Sequence, residues 1–273
     1  MRGRVVPLSR QRRLICDLMH FSAGVPTVPV QRTMNLAGLI VARRRCQERP
    51  PWTAIFAKAF ALAAIDFPQL RRAYCKLPWP HLYEYPGSVA SIMVEREVDG
   101  EPAVLGLRVK EPESRSITEI GLLVREASTV PVDSVSSFRQ ALRLAAWPRP
   151  IRRLLWWLGL NIGRQRANYF GTFGVTVYSS LGAESLHPLS PLTATLNYGV
   201  IGPDGSVAVR MIYDHRVMDG ATVARALARV EHILNTSLCT ELLALAPETR
   251  ASGRFHPAVV VASPGAASPL KVL

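Results

Sequence analysis

The sequence predicts one domain, α+β or α/β, built on a mostly mixed β-sheet, and three observations carry that expectation. Hydrophobic residues make up 48% of the 273 and charged residues 19%, so the chain can bury a sizeable core and is not disordered throughout. Two β-rich stretches are organised around hairpin signals, Asp99-Gly100 and Pro203-Asp204-Gly205. Segments of helical periodicity precede, separate and follow those stretches. No obvious point divides the chain into two domains. Residues 1–245 read as one domain, and residues 246–273, dominated by Pro, Ala, Ser and Gly, as a flexible tail.

The elements follow in order. Leu14, Ile15, Leu18 and Met19 recur at helical spacing, with Arg10, Arg12, Arg13 and Asp17 on the other side and Ser9 as cap. Residues 25–34 are β-branched and interrupted by Pro26 and Pro29, which predicts a strand at a sheet edge. Residues 53–66 form the clearest helix, capped by Thr53, lined by Ile55, Phe56, Ala59, Phe60 and Ala63, and stopped before Pro68. Residues 89–94 and 103–109 make a hairpin around Asp99-Gly100. Ser116 with Glu119 three residues on is a capping box. Residues 134–168 are basic and bear tryptophans, with breaks at Pro148 and Pro150. Strands return at 171–180 and 192–201, and a further strand covers 207–213. The helix after Gly220 buries Val223, Leu227, Val230, Ile233 and Leu234.

Composition narrows the function classes. Lys plus Arg number 33 and Asp plus Glu 20, a net charge of +13, which favours an anionic partner: nucleic acid, a membrane surface or a phosphorylated cofactor. No nucleic-acid-binding motif is present, which argues against the first. Cys16, Cys46, Cys75 and Cys239 form neither a zinc pattern nor a disulfide framework, so a reducing cytoplasm is expected and no metal. Arg2 and Arg4 are not followed by an apolar signal segment, and no apolar run is long enough to span a bilayer.

The sharpest local signal is Tyr213-Asp214-His215-Arg216-Val217-Met218-Asp219-Gly220. It places a histidine at a strand end, four residues before an aspartate that opens a helix. Histidine titrates near neutrality and serves as a general base. The plainer role for Asp219 is a helix N-cap, and for His215 a structural strand end. With no third ligand in view, the pair does not make a metal site.

His215 through Gly220 resembles the His-x-x-x-Asp-Gly motif of the acyltransferase component of 2-oxoacid dehydrogenase complexes, which chloramphenicol acetyltransferase shares. The Asp-His-Arg-Val-x-Asp-Gly-Ala form is nearer to the dehydrogenase-complex branch. Further stretches agree in order: Pro7-Leu8-Ser9-Arg10, Phe67-Pro68-Gln69-Leu70, and Gly171-Thr172-Phe173 followed by Ser179-Ser180-Leu181-Gly182. The resemblance spans about residues 5–235.

The resemblance implies a chloramphenicol-acetyltransferase-like two-layer sandwich with a mixed sheet, assembled as a homotrimer with active sites between subunits. It implies acyl transfer from a coenzyme A thioester to an acceptor thiol, hydroxyl or amine, without an acyl-enzyme. His215 would be the base, Ser179 the hydroxyl that stabilises the oxyanion, and Asp219 a structural residue in an ion pair, with Arg10 as its partner. Three departures stand out. No lipoyl or subunit-binding segment precedes residue 5, so acyl groups would come from coenzyme A, another acyl carrier or a separate lipoyl-bearing protein, and no lipoyl group is expected on this chain. Residues 174–178 lengthen the approach to Ser179, which bears on its register. Residues 147–169 replace an ordinary polar helix with tryptophan, leucine and arginine, a composition suited to a membrane surface, a long acyl chain, or core and trimer packing. Two other classes stay open: a non-catalytic core subunit of a multienzyme complex, and a basic protein peripheral at the membrane.

Overall fold

The computed structural model describes residues 1–247, so the predicted tail lies almost wholly outside the described residues. Strands β1 (Thr27–Asn35), β2 (Arg72–Cys75), β3 (His81–Glu84), β4 (Val89–Val98), β5 (Glu101–Lys110), β6 (Phe173–Thr176), β7 (Ala194–Tyr198) and β8 (Ser206–Asp214) form two sheets. The large one is mixed, in the order β1-β8-β7-β6-β4-β5, and β2-β3 is a separate ribbon. The helices are α1 (Arg10–Ser22), α2 (Ala37–Arg45), α3 (Trp52–Asp66), α4 (Ile117–Thr129), α5 (Ser136–Ala146), α6 (Arg149–Asn161), α7 (Gly163–Phe170), α8 (Gly220–Asn235) and α9 (Ser237–Ala244).

Helices α3, α4 and α8 cover one face of the large sheet, and α2 and α9 pack behind them. This is the expected sandwich. Helix α3 is buried on nearly every side, as a central helix must be when it is apolar all round. Phe56 stacks on Tyr198 and Phe60 on Phe173, each with ring centroids 4.1 Å apart. On the opposite face, α1, α5, α6 and α7 close over the β4–β5 end.

Most local expectations hold. Ser9 accepts from the Arg12 N–H. Ser116 and Glu119 complete a reciprocal capping box. Asp99 (φ 53°) and Gly100 (φ 77°) supply the two left-handed residues of the β4–β5 turn. The proline-bearing β1 is an edge strand paired only to β8.

Four expectations are corrected. Helix α3 starts one residue before Thr53, which makes no cap; the Pro51 carbonyl accepts from Ala54 and Ile55 instead. Asp17 is not on a solvent face. It is buried and paired with Arg152, because α6 packs over α1. The stretch at 134–168 resolves into three helices, with Pro150 in the first turn of α6, where its missing N–H costs nothing. The strands expected at 171–180 and 192–201 are shorter, because Gly171 turns into β6 and Ser179 opens a one-turn 3₁₀ helix.

The Gly-Thr-Phe stretch explains itself in this fold. Gly171 has φ 90° and ψ 174°, and a side chain there would press within 2.9 Å of the Val89 carbonyl. Thr172 then binds Val89 three times: its N–H donates to the carbonyl (2.8 Å), while its Oγ1 accepts from the amide (2.9 Å) and donates to the carbonyl (3.2 Å). These contacts register β6 parallel to β4, and Phe173 completes the join to α3.

Candidate active site

His215 follows the last residue of β8. Its own amide donates to the Pro26 carbonyl (3.1 Å), and the preceding Asp214 amide donates to the Thr193 carbonyl (2.8 Å). The strand end is thus held from both neighbours. The next residues are fixed by burial: Asp214 is 0% exposed, and Val217 and Met218 are buried. Within the motif, His215 and Asp219 are the polar residues left with large exposure, their side chains 48% and 85% accessible.

Asp214 accepts three hydrogen bonds from Arg216: from the backbone amide (3.0 Å), Nε (2.9 Å) and Nη2 (2.7 Å). This bidentate pair locks the turn that carries His215. The Arg216 guanidinium also lies 4.3 Å over the Tyr74 ring. Beneath it, the buried Arg166 donates to the carbonyls of Tyr74, Leu160 and Pro191. Burial lowers the Arg166 pKa from its ordinary value, and burial also raises the neighbouring Cys75 thiol and Tyr85 hydroxyl. Tyr85 donates to the Gly163 carbonyl (2.9 Å). A packed ionic layer therefore supports the strand end from below.

Asp219 occupies the N-cap position of α8 but makes no side-chain cap bond. Its Oδ1 instead lies 3.8 Å from His215 Nδ1, longer than a hydrogen bond. The expected partner Arg10 is elsewhere. It pairs with Asp99 at 2.8 Å, because α1 starts beside the β4–β5 turn.

Ser179 opens the 3₁₀ turn Ser179–Leu181 and is half-buried. The register places it away from His215. Thr176 faces Asn197, which faces Arg210, and Asp214 lies four residues further along β8. That is about 14 Å of strand, and Ser179 leaves β6 at the far end. Within one chain the two residues stand at opposite ends of the sheet, and no hydrogen bond joins them among the described residues.

The loop after Ser179 then returns along the sheet. Glu184 pairs with Arg210 (2.8 Å), which holds its carboxyl below the usual range. His187 Nε2 lies 2.8 Å from Thr27 Oγ1, and Thr27 is the register partner of Asp214. A second histidine therefore stands at the His215 end of the sheet. Sequence reading missed it, as it missed Arg166 and Tyr74, because only the loop's return path, helix α7 and the β2–β3 ribbon bring them there. Arg216 was visible as part of the motif, but its pairing was not. Among the described residues, no group of three or more His, Cys, Asp or Glu is arranged to hold a metal.

No protein-family model and no curated protein sequence matches the chain. Solved structures do. A probable dihydrolipoamide acetyltransferase from Listeria monocytogenes aligns over 91% of this chain and 98% of that one, at 19% identity and a TM-score of 0.57. The dihydrolipoamide acetyltransferase of Azotobacter vinelandii, studied for a serine, a histidine and an asparagine in its catalytic mechanism, aligns over 86% and 93%, at 16% identity and 0.60. A truncated catalytic core of the 2-oxoacid dehydrogenase multienzyme complex from Thermoplasma acidophilum aligns over 86% and 99%, at 16% identity and 0.58. The chain has the fold of these acyltransferase cores, as its sequence resemblance implies.

Proposed function

We propose that the protein is an acyltransferase that moves an acyl group from a coenzyme A thioester to an acceptor by direct transfer, with His215 as general base. The observation that carries this reading is the solvent-facing imidazole at the end of β8, presented by a turn that Asp214 and Arg216 lock. The shared fold supports it, and so does the Azotobacter neighbour, whose mechanism involves a histidine, a serine and an asparagine. In this chain Asp219 stands four residues after His215.

The imidazole would take the proton of the acceptor thiol, hydroxyl or amine as that atom attacks the thioester carbonyl. The tetrahedral oxyanion would receive a hydrogen bond from the Ser179 hydroxyl. Collapse would break the carbon–sulfur bond, and the leaving thiolate would take the proton back from the imidazolium. Since Ser179 and His215 stand at opposite ends of one sheet, the complete site would pair His215 of one copy with Ser179 of a second, as the expected homotrimer provides. The donor would be an acyl-CoA or another acyl carrier, and the acceptor could sit on a separate lipoyl-bearing protein.

The test is thiol release from a panel of acyl-CoAs, with dihydrolipoamide among the acceptors, for the wild type and His215→Ala. Acceptor-dependent release that disappears in the variant is expected. Equal release by both proteins would end the assignment of His215, and no release from any donor by folded protein would favour a non-catalytic core subunit.

A further inference from the structure

The helices over the β4–β5 end of the sheet do not fill the space they enclose. A cavity of about 430 Å³ lies between Met93 on β4, Leu14 and Leu18 on α1, Leu144 on α5, Trp156 on α6 and Phe170 at the end of α7. That volume lies within the range of roughly 300–1,000 Å³ typical of small-ligand sites. The lining is overwhelmingly apolar. Its single charge, Arg108, donates to the Tyr169 carbonyl and Gln140 Oε1. The rim is apolar too: Val104, Leu155, Ile162 and Tyr169 are each 40–45% exposed.

Two further observations point to a ligand rather than a packing gap. The lining residues Ser137 and Trp156 are 4% and 7% exposed, and their Oγ and Nε1 atoms have no hydrogen-bond partner among the described residues. A buried polar atom without a partner costs stability, unless something that enters the cavity supplies one. One end of the lining is Ser190-Pro191-Leu192, and the next carbonyl, Thr193, holds the Asp214 amide immediately before His215.

We infer that this cavity binds the aliphatic chain of an acyl group, with Ser137 and Trp156 available to its carbonyl oxygen and the rest of the thioester or acid left outside. This deepens the proposed function and rests on it only for the identity of the thioester. It also gives a role to Trp156 of the segment 147–169, since α6 forms one wall of the chain-binding cavity.

The experiment is calorimetric titration with free fatty acids and acyl-CoAs of four, eight, twelve and sixteen carbons, all below their micelle concentrations. Affinity should rise about fourfold per added methylene until the cavity is full, then level off. Ala141→Phe and Ser137→Leu, which fill the cavity from α5, should weaken binding of the best chain at least tenfold, with melting temperature and circular dichroism confirming the fold. Two variants are used so that one unfolding leaves the other to decide. Acyl-CoA binding without fatty-acid binding would assign the thioester as the ligand, and equal binding of both would assign the chain alone. Affinity independent of chain length, or wild-type affinity in the folded filled variants, would overturn the inference. So would a folded homotrimer that binds no chain of any length, since a second copy would then cover the cavity. Chain binding without His215-dependent transfer from any bound thioester would leave the cavity assigned and refute the proposed function.

Discussion

Replacing Asp214 with asparagine tests how His215 is held. The wild-type carboxylate is fully buried and accepts three hydrogen bonds from Arg216, at 3.0, 2.9 and 2.7 Å. Asparagine keeps the size but loses the charge and one acceptor, leaving the guanidinium against Tyr74 and near the buried Arg166 with no counter-charge. Breaking a buried pair by removing one partner costs about 3–5 kcal/mol. The Arg216 side chain keeps 29% of its surface in water, so the lower end applies, about 3 kcal/mol. For a domain of this size each kcal/mol lowers the melting temperature by roughly 2–4 °C, so a fall of roughly 6–12 °C is expected. The catalytic effect should be larger in proportion, because a displacement of about 1 Å in a catalytic group costs on the order of 10²-fold. Thermal melts and initial acyl-transfer rates, taken well below both midpoints, measure the two effects separately. Arg216→Met and the double variant close the cycle, and a coupling energy above about 1 kcal/mol is expected for groups in direct contact. An Asp214→Asn protein that melts and turns over like the wild type would refute the claim that this pair positions the base.

Three further outcomes are expected. His215→Ala should lower transfer by about 10²–10⁴ and Ser179→Ala by about 10²–10³; co-refolding the two inactive variants should restore activity above either alone, and its failure would count against a site shared between copies. Gly171→Ala should destabilise the protein by more than about 3 kcal/mol, because a conformation open essentially to glycine alone costs about 1–3 kcal/mol and the new methyl group meets the Val89 carbonyl; a denaturant melt unchanged from wild type would contradict this reading of the Gly-Thr-Phe stretch. Glu184 titrates below its ordinary value because Arg210 binds its ionised form. Its folded pKa is the depressed one, so its contribution is fully present above the ordinary carboxylate range and is lost as pH falls through the lowered value. Proteolysis within 182–192 should accelerate over that acid window in the wild type, and Glu184→Gln should show the faster cleavage already at neutral pH.

The parts of this protein whose cause is local could be read along the chain. Asp99-Gly100 specified a tight turn because the two residues tolerate left-handed backbone. Ser116 and Glu119 specified a helix start because each satisfies the other's amide. Pro29 within β1 specified an edge, since a proline donates nothing to a second neighbour. His215 stood out for the same reason: it follows an apolar strand and precedes an amphipathic helix, with a residue pattern that resembles a known motif.

Tertiary structure decided whatever depended on residues far apart in the chain. Asp17 looked solvated from its helix alone, and only the packing of α6 buried it against Arg152. Arg10 looked available to Asp219, and only the position of the β4–β5 turn gave it to Asp99. The ion pair that holds His215 joins neighbours in sequence, yet the Tyr74 ring over it and the Arg166 guanidinium beneath it arrive from more than forty residues away. The direction of each strand decided most of all. Ser179 and His215 each follow a strand, so their spacing in the sequence suggests one site. Because β6 and β8 run in opposite directions across β7, those strand ends lie at opposite ends of the sheet. The cavity beside α6 is likewise invisible to periodicity, because a void is set by how well several helices and a sheet fit together, and no single segment encodes that fit.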